Sequence, residues 1–313
     1  MIHIEIVGTG RCLPNEPVEN AEVALRLNTS DAWIRERTGI ERRHYVYGKN
    51  LVEIASEAAT NALDAARVQP GEVDLIVVAT ISGDMIFPST AASVQDRLGI
   101  RRVACFDVSA ACSGFLYALS IADGFVAAGR ARHALVIGAE AMSRLVDPAD
   151  RSTSVLFGDG AGAVVIKRST TDCVGSIDLY ADGASSELLN CAPLLRRPFI
   201  SMNGPAVFRI AVRAMVQAIE GALLQSGLCT SDIDWFVPHQ ANRRIIESVA
   251  ASIGIPMDRV VLTLQDHANT SAASIPMALD VAVRDGRIQS GHTLLMAAAG
   301  GGFTWAAGIM RWV

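Results

Sequence analysis

Short runs of aliphatic residues alternate along the chain with longer stretches in which apolar residues recur every three or four positions. The first pattern is typical of buried strands and the second of amphipathic helices. The predicted strands are Leu75–Ala79, Val103–Asp107, Ala134–Ile137, Ala163–Ile166, Trp235–Val237, Val260–Leu264 and Leu294–Ala297. The predicted helices are Leu51–Ala66, Ser89–Leu98, Ser113–Ala128, Ala206–Ser226, Gln240–Ile253 and Ala272–Arg284. This alternation predicts a layered α/β fold.

The two halves of the chain carry similar segments in the same order. The run EVDLIVV at 72–78 resembles DIDWFVP at 232–238, and RLGI at 97–100 resembles SIGI at 252–255. In each half a strand, a loop of small residues, a helix ending in Gly-Arg and another strand follow. Any βαβ chain has some self-similarity, but a duplicated unit explains the order better. We predict halves spanning 1–168 and 169–313 that share one packed interface.

Composition and charge narrow the class of protein. Of the 313 residues, 50% are hydrophobic and 19% charged, and the net charge is −5 without a basic run, so a globular protein with no nucleic-acid partner is expected. The first residues alternate like a strand, and no apolar stretch reaches the roughly 18 residues of a membrane helix, so neither a signal peptide nor a membrane partner is expected. The six cysteines show no CxxC pair, which favours reduced thiols and a cytoplasmic location.

Three reactive side chains follow predicted strands at equivalent places. Cys112 lies in a run of small residues that opens into a helix, where the helix N-terminus would favour the thiolate. His239 and Asn269 follow two strands of the second half. A cysteine beside a histidine suits nucleophilic acyl transfer, and an asparagine can orient a base or donate to an oxyanion. Taken singly, they also fit a core cysteine, a satisfied histidine and an Asx turn.

Two glycine-rich segments have different contexts. The run Phe157–Ile166 leads into a strand and not into a helix, which favours a turn or tight packing over a dinucleotide site. The glycines at 300–302 follow a buried strand. They fit either a hairpin turn or a backbone that brings an N–H close to a substrate carbonyl.

Taken together, these segments resemble the β-ketoacyl-acyl-carrier-protein synthase III family, the initiating condensing enzymes of bacterial fatty-acid synthesis. The motifs that carry the resemblance are IVGTG at 6–10, TSDAWI at 29–34, RTGI at 37–40, AACSGF at 110–115, FGDGAG at 157–162, PHQAN at 238–242, NTSAAS at 269–274 and GGGFTW at 300–305. The resemblance implies a thiolase-like α/β fold, with five αβαβα layers, two duplicated halves and mixed sheets.

The resemblance also implies a mechanism. Cys112 would take an acyl group, most simply acetyl, from acyl-coenzyme A, and malonyl-acyl-carrier protein would then lose CO₂. His239 and Asn269 would hydrogen-bond the oxygen of the resulting enolate, and the backbone N–H groups of Cys112 and Gly301 would form the oxyanion hole. Coenzyme A thioester is a substrate, and no metal or other cofactor is implied. A homodimer is implied.

Binding residues follow from the same resemblance. Trp33 and Arg151 would sandwich the adenine, and Phe87 would cross a dimer interface to close the partner's acyl pocket. The other coenzyme A contacts would be Thr29 and Arg37 at the nucleotide and Gly204, Phe208, Ala241 and Asn242 along the pantetheine tunnel. An acidic carrier protein would dock on Arg209, Arg213, Arg243 and Arg244. The plain alternatives are a packing role for Trp33, an ion pair for Arg37 and a solvated face for the docking arginines.

Several positions depart from the family pattern. Ala299 replaces the aromatic residue that usually precedes the glycines, and Ala268 replaces a glycine, so acyl-chain choice is expected to differ. Pro205 removes a polar contact to the pantetheine arm, and the stretch 186–202 is short. Ala251 and Ser252 stand in place of lysines, which bears on carrier docking.

Three other functions remain open at this stage. The first is acyl transfer from Cys112 onto an alcohol or amine without a new C–C bond, which the pairing of His239 with Asn269 disfavours because decarboxylation needs both donors. The second is a nicotinamide oxidoreductase, which would use the glycines at 158–162. The third is a non-catalytic dimer scaffold, which the presence of all three reactive residues disfavours.

Overall fold

Two β-sheets separated by a layer of helices organise the chain. The computed structural model describes residues 3–169, 175–192 and 197–313. The strands are β1 (Ile4–Cys12), β2 (Val18–Glu19), β3 (Arg42–Arg43), β4 (Leu75–Ala79), β5 (Ala104–Val108), β6 (His133–Ala141), β7 (Asp159–Arg168), β8 (Ile177–Ala181), β9 (Leu189–Ala192), β10 (Arg197–Met202), β11 (Trp235–Pro238), β12 (Thr293–Gly300) and β13 (Thr304–Arg311). The α-helices are α1 (Asn20–Ala24), α2 (Asp31–Thr38), α3 (Leu51–Ala66), α4 (Thr90–Arg97), α5 (Gly114–Ala127), α6 (Arg151–Ser154), α7 (Gly204–Ser226), α8 (Arg243–Ile253), α9 (Leu264–His267) and α10 (Ser274–Arg284).

The two large sheets have matching topology. The first has the order β1-β7-β6-β4-β5 and the second the order β8-β13-β12-β11. In the first sheet β4 runs parallel to β6, and in the second β11 runs parallel to β12. On their other edges β6 and β12 pair with antiparallel strands, β6 with β7 and β12 with β13. Both sheets are therefore mixed, and the four strands of the second have the same order and directions as β1, β7, β6 and β4 of the first, whereas β5 has no counterpart among the described strands.

Alternating side chains along the strands divide the core into layers. In β4, Leu75 and Val77 pack in one cluster with the central helices α5 and α10, whereas Ile76 and Val78 pack with α3 and α4. Helices α7 and α8 cover the outer face of the second sheet. The layers therefore run αβαβα, and the implied five-layer thiolase-like architecture is confirmed. The central pair of helices serves both sheets.

The predicted strand Val260–Leu264 is wrong. One isolated bridge joins this segment to β11, and its last residue already belongs to α9. The reason is the buried side chain of Gln240. Its carboxamide oxygen accepts from the backbone N–H groups of Thr263 and Leu264 at 2.9 and 3.2 Å, and thereby occupies donors that a longer strand would need for its ladder.

The division after residue 168 stays a prediction. Strand β7 of the first sheet ends at Arg168, and strand β8 of the second begins at Ile177. The short stretch 186–202 includes residues 193–196, and Cys173 is another residue outside the described ranges. Cys12, Cys105, Cys112 and Cys229 form no disulfide with another described residue. Within the described ranges, no helix is both long and apolar enough to cross a bilayer.

Candidate active site

Cys112, His239 and Asn269 line one cavity of about 1030 Å³. Cys112 lies in a 3₁₀ turn between β5 and α5, and His239 directly follows β11. Asn269 lies between α9 and a second 3₁₀ turn, at Ser271–Ala273, that leads into α10. Residues far apart in sequence thus meet where the two halves of the chain face each other.

The turn that carries Cys112 is held by the hairpin β12–β13. Hydroxyl groups bond in both directions, since Ser113 donates to the carbonyl of Thr304 and Thr304 donates to the carbonyl of Ala110, each at 2.9 Å. A Cβ on Gly300 would lie 2.6 Å from the backbone nitrogen of Cys112. Glycine is therefore required there, because only its backbone can approach the turn this closely.

Burial controls the ionisation of Cys112. Desolvation raises the pKa of its thiol from 9.0 to about 12; the Ser271 hydroxyl lowers this pKa, and the charge of Glu140 raises it. Removal from water penalises the anion and so opposes the effect that the sequence predicted for the helix N-terminus. At neutral pH Cys112 is a thiol, so its attack on a thioester requires a proton acceptor.

His239 is a neutral ring held by a serine. Its Nδ1 lies 2.6 Å from Oγ of Ser274, which also accepts the backbone N–H of Gln240 at 3.3 Å. Burial lowers the pKa of His239 to about 3. A neutral imidazole has one donor and one acceptor nitrogen. When the Ser274 hydroxyl donates to Nδ1, Nε2 carries the hydrogen and is the donor.

Asn269 is held by hydrogen bonds of its side chain and backbone and by the glycine motif, the FGDGAG segment at 157–162. Its Oδ1 accepts the backbone N–H of Ser271 at 2.9 Å, which leaves the amide N–H groups as donors. Its backbone pairs with Leu156 at 2.9 Å and with Gly158 at 3.0 Å. A Cβ on Gly158 would lie 2.8 Å from the carbonyl oxygen of His267. The glycine motif thus packs against the asparagine loop and leads into β7, as its sequence predicted.

The glycines at 300–302 form the end of a hairpin. Gly300 pairs with Thr304, and Gly301 lies in the intervening turn. Gly300 and Phe303, on either side of it, line the cavity together with Ala299. The hairpin interpretation is therefore correct, and the turn also borders the site. Donation from the Gly301 N–H to an oxyanion stays a prediction.

The implied coenzyme A residues cluster around the cavity. The guanidinium carbon of Arg151 lies 4.8 Å from the centroid of the Trp33 ring, and that of Arg37 lies 6.0 Å from it. Thr29 has a buried hydroxyl without a hydrogen-bond partner among the described residues. The remaining members that line the cavity are Gly204, Phe208, Ala241 and Asn242.

Asn242 already has two structural bonds. Its side chain caps α8 by accepting the N–H of Arg244 at 2.9 Å and donates to the carbonyl of Arg37 at 3.0 Å. Pro205 is the second residue of α7 and also lines the cavity. The described part of the tunnel wall is therefore mostly apolar side chain and backbone.

The four docking arginines differ in their pairing. Arg243 bonds Glu247 at 2.7 Å. Arg209, Arg213 and Arg244 have no carboxylate within salt-bridge distance among the described residues. Arg209 and Arg244 line the cavity, and Arg209 and Arg213 line a neighbouring shallow groove on α7. Three unpaired cations therefore lie beside the site.

Phe87 lies outside the cavity of its own chain. Met85, Ile86 and Phe87 are 51%, 87% and 84% exposed, an unusual run of apolar side chains at a surface. The run lies on the loop that follows β4 and precedes α4. In one chain, Phe87 therefore contributes nothing to the site.

Sequence reasoning missed four polar residues around the site. Ser274 and Ser271 stand inside the quoted NTSAAS motif, so their spacing from Asn269 was the available signal. Gln240 stands beside His239 in the PHQAN motif. Glu140 gave no signal, since it is one carboxylate at the end of an otherwise apolar strand.

Comparison with known proteins gives a consistent result. Residues 106–183 match the family model for 3-oxoacyl-[acyl-carrier-protein] synthase III, and residues 223–312 match the model for its C-terminal part. The chain is 49% identical to beta-ketoacyl-[acyl-carrier-protein] synthase III of Neisseria meningitidis serogroup B, over 100% of both chains. It is also 49% identical to the protein of the same name from Methylococcus capsulatus, over 98% of both.

Solved structures agree with these relatives. The crystal structure of 3-oxoacyl-[acyl-carrier-protein] synthase III from Aquifex aeolicus is similar with a TM-score of 0.96 and 44% identity, covering 99% of this chain and 100% of that one. The priming beta-ketosynthase of the R1128 polyketide pathway gives a TM-score of 0.95 and 37% identity, covering 99% and 96%.

Proposed function

The chain belongs to the 3-oxoacyl-acyl-carrier-protein synthase III family, and we propose that it joins an acetyl group from acetyl-coenzyme A to malonyl-acyl-carrier protein. Family membership makes it an acyl-transferring condensing enzyme that initiates fatty-acid synthesis. The observation that carries the more specific proposal is the single cavity shared by Cys112, His239 and Asn269.

In the first half-reaction, Cys112 attacks the thioester carbon of acyl-coenzyme A. The carbonyl oxygen becomes an oxyanion that accepts hydrogen bonds from the backbone N–H groups of Cys112 and Gly301. Collapse of this intermediate breaks the carbon–sulfur bond to coenzyme A, which leaves with the proton that the Cys112 thiol gave up, and Cys112 keeps the acyl group. The approach of Gly300 to the nitrogen of Cys112 supports this arrangement, because it brings the hairpin backbone beside the nucleophile.

In the second half-reaction, the malonyl thioester loses CO₂ and its carbonyl oxygen takes up negative charge. His239 and Asn269 donate hydrogen bonds to this oxygen and so stabilise the enolate. The enolate carbon then bonds to the acyl carbon, and the bond from that carbon to the sulfur of Cys112 breaks. The neutral ring of His239 and the engaged Oδ1 of Asn269 support the assignment, since each leaves a donor available. Loss of one such donor costs on the order of 10²–10³ in rate.

The substrates reach Cys112 through a positively charged entrance. Arg37 and Arg151 lie beside Trp33 and would bind the phosphates and adenine of coenzyme A. The adenine ring would stack on the indole of Trp33. Arg209, Arg213 and Arg244 fit an acidic carrier protein that delivers its pantetheine arm into the same cavity. The proposed enzyme acts in the cytoplasm, where reduced thiols persist.

A homodimer is part of the proposal. The exposed run at Met85–Phe87 supports it, because burial of such side chains against a second copy would remove apolar surface from water. Phe87 would then reach the acyl pocket of the partner. Light scattering tests this directly: the native chain is expected at twice its monomer mass, and Phe87→Asp is expected to shift it toward the monomer.

Intact-mass measurement tests the chemistry. Incubation with acetyl-coenzyme A is expected to add one acetyl group, and Cys112→Ala is expected to abolish it. Malonyl-carrier protein is then expected to discharge the acetyl group with release of CO₂, which a simple acyl transfer to an alcohol or amine would not release. An undiminished adduct in Cys112→Ala, or discharge without CO₂, would contradict the proposal.

A further inference from the structure

A second cavity, of about 470 Å³, lies between the loop that precedes α3 and the turn that follows β6. Its polar and aromatic lining comes from three segments and includes Arg26, Tyr45, Tyr47, Lys49, Ser143 and Arg144. It shares no lining residue with the active-site cavity. Its volume is within the range of small-molecule sites. The cavity is therefore a candidate for a ligand of its own.

The charges around this cavity are mainly positive. Arg26, Lys49 and Arg144 line it, and none of its described lining residues is an aspartate or glutamate. Arg144 is paired with Asp84 at 2.5 Å, whereas Arg26 and Lys49 have no carboxylate within salt-bridge distance among the described residues. Lys49 also borders a neighbouring groove that contains two glutamates. Two unpaired cations beside a third fit a phosphate group, which carries up to two negative charges and which arginine binds well.

Two tyrosines form an aromatic corner in the wall. The ring centroids of Tyr45 and Tyr47 are 5.5 Å apart, and the ring planes meet at 69°. A planar ligand ring that stacks on one tyrosine would meet the other edge-on, and aromatic groups favour both arrangements. Val23, Leu27 and Val146 line the same cavity and are buried. This part of the wall therefore suits an aromatic ring.

The walls are held by hydrogen bonds within the protein. The carboxylate of Asp159 accepts from the backbone N–H groups of Val46 at 2.9 Å and of Ser143 at 2.7 Å. It thereby joins the loop of the two tyrosines to the turn after β6. The side-chain amide of Asn15 donates to the carbonyl groups of both tyrosines, at 2.8 and 2.9 Å. A ligand loses less free energy on binding when the walls of its site are already ordered.

We propose that this second cavity binds an organic phosphate that carries a planar aromatic ring, such as a nucleoside phosphate. The phosphate contacts Arg26 and Lys49, and the ring stacks in the corner formed by Tyr45 and Tyr47. This site is additional to the proposed coenzyme A site at Trp33, and the inference goes beyond the proposed function.

The segment at 152–155 separates the two sites. Ser154 lines the second cavity, whereas Ser152 and Val155 line the active-site cavity. Leu27, from the wall of the second cavity, packs in one cluster with Val155 and Trp33. Because the sites are neighbours and both suit a nucleotide, a test of the second must keep the first filled.

Isothermal titration calorimetry with ADP, in the presence of saturating coenzyme A, measures the second site. We expect one ADP to bind per chain. Adenosine and inorganic pyrophosphate are each expected to bind at least about 10-fold more weakly, because each lacks one of the two kinds of contact. Phenyl phosphate is titrated in parallel as a ligand with a smaller ring, and binding of either ring-bearing phosphate supports the proposal. Binding of neither, or equally tight binding of pyrophosphate, would overturn it.

Three variants test the location of the ligand. Arg26 and Tyr47 are exposed, so their replacement leaves the core intact. We expect Arg26→Gln to weaken binding about 10-fold, since it removes a hydrogen bond from a charged group. Tyr47→Ala is expected to weaken it about fivefold, through loss of ring stacking. The control Arg130→Gln removes an exposed arginine that lines neither cavity and is expected to stay within about twofold.

Native affinity in Arg26→Gln or in Tyr47→Ala overturns the proposal, because the ligand then lies elsewhere. If a melting curve shows that either variant does not fold, Lys49→Gln decides, and native affinity in that variant overturns the proposal as well. Failure of the proposed function would instead show as a native chain that takes no acetyl group from acetyl-coenzyme A. The comparison of Arg26→Gln with the native chain would still locate the bound ADP in that case.

Discussion

Oγ of Ser274 lies 2.6 Å from Nδ1 of His239, across 35 residues of sequence. Because the ring is neutral, this contact selects which nitrogen carries the hydrogen. We expect Ser274→Ala to slow condensation about 10-fold, the value of a hydrogen bond of about 1.4 kcal/mol, while acylation of Cys112 stays within about twofold. Separate assays of acetyl uptake and of CO₂ release measure the two steps. Equal losses in both steps would contradict a role confined to His239.

The close approach at Gly158 gives a second prediction. Gly158→Ala places a methyl group 2.8 Å from the carbonyl of His267, so the loop that carries Asn269 must shift. We expect a loss of about 1–3 kcal/mol of unfolding free energy, typical of overpacking, together with slower decarboxylation.

Gly160→Ala is the matched control for that change. Its methyl group would meet the end of the flexible Met277 side chain, at 2.8 Å from the sulfur, and that side chain can move. Urea unfolding of both variants, with CO₂ release from malonyl-carrier protein, provides the measurement. A larger effect at Gly160 would argue against the packing explanation.

Ala299, where the resemblance to the family implies an aromatic residue, lines the cavity. We expect Ala299→Phe to reduce acylation by butyryl-coenzyme A at least about 10-fold more than acylation by acetyl-coenzyme A, because each methylene contributes about 1–3 kcal/mol in a filled pocket. A panel of acyl-coenzyme A chain lengths measures the change. A uniform loss across the panel would mean that the new ring blocks the entrance and not the acyl site.

Arg213 lies on α7 beside Arg209, outside the cavity but in the neighbouring groove. We expect Arg213→Ala to raise the KM for malonyl-carrier protein about threefold to tenfold at low salt, with acetyl uptake from coenzyme A unchanged. The effect should shrink as ionic strength rises, because exposed charges are screened. Arg287→Ala, which removes a cation paired with Asp285, serves as the control.

His267 provides a prediction of acid sensitivity. Burial lowers its pKa to about 3, whereas the unfolded chain takes up a proton near pH 6.5. The unfolded state therefore binds more protons below pH 6.5, and stability falls as the pH drops from there toward 3, by up to about 1.4 kcal/mol per pH unit for this group. We expect His267→Gln to remove this contribution, so that stability falls less steeply as the pH drops. Tm of both proteins from pH 7 to pH 4 tests it, and parallel curves would contradict it.

Local patterns predicted much of the fold. Leu51–Ala66 and Leu75–Ala79 have the same bounds in the structure as in the prediction. The spacing of their apolar residues shows whether one face or both faces of the element are buried. Val260–Leu264 has a strand-like composition, yet the side chain of a remote glutamine takes its backbone donors. No local pattern contains that contact.

The site shows the same division between local and remote information. The three reactive residues were found because each follows a recognisable segment, and the resemblance supplied their roles. The ionisation of Cys112 also depends on how completely distant elements exclude water, which no local pattern contains. The place of Glu140 depends on the packing of β6 against a turn more than 130 residues away. Such relations belong to the assembled molecule.

The nucleophile stands on a turn of the first repeat, while both proposed enolate donors stand on the second. Neither half alone would thus possess both the sulfur and the donors. Joining the two halves in one polypeptide fixes their mutual placement at every turnover.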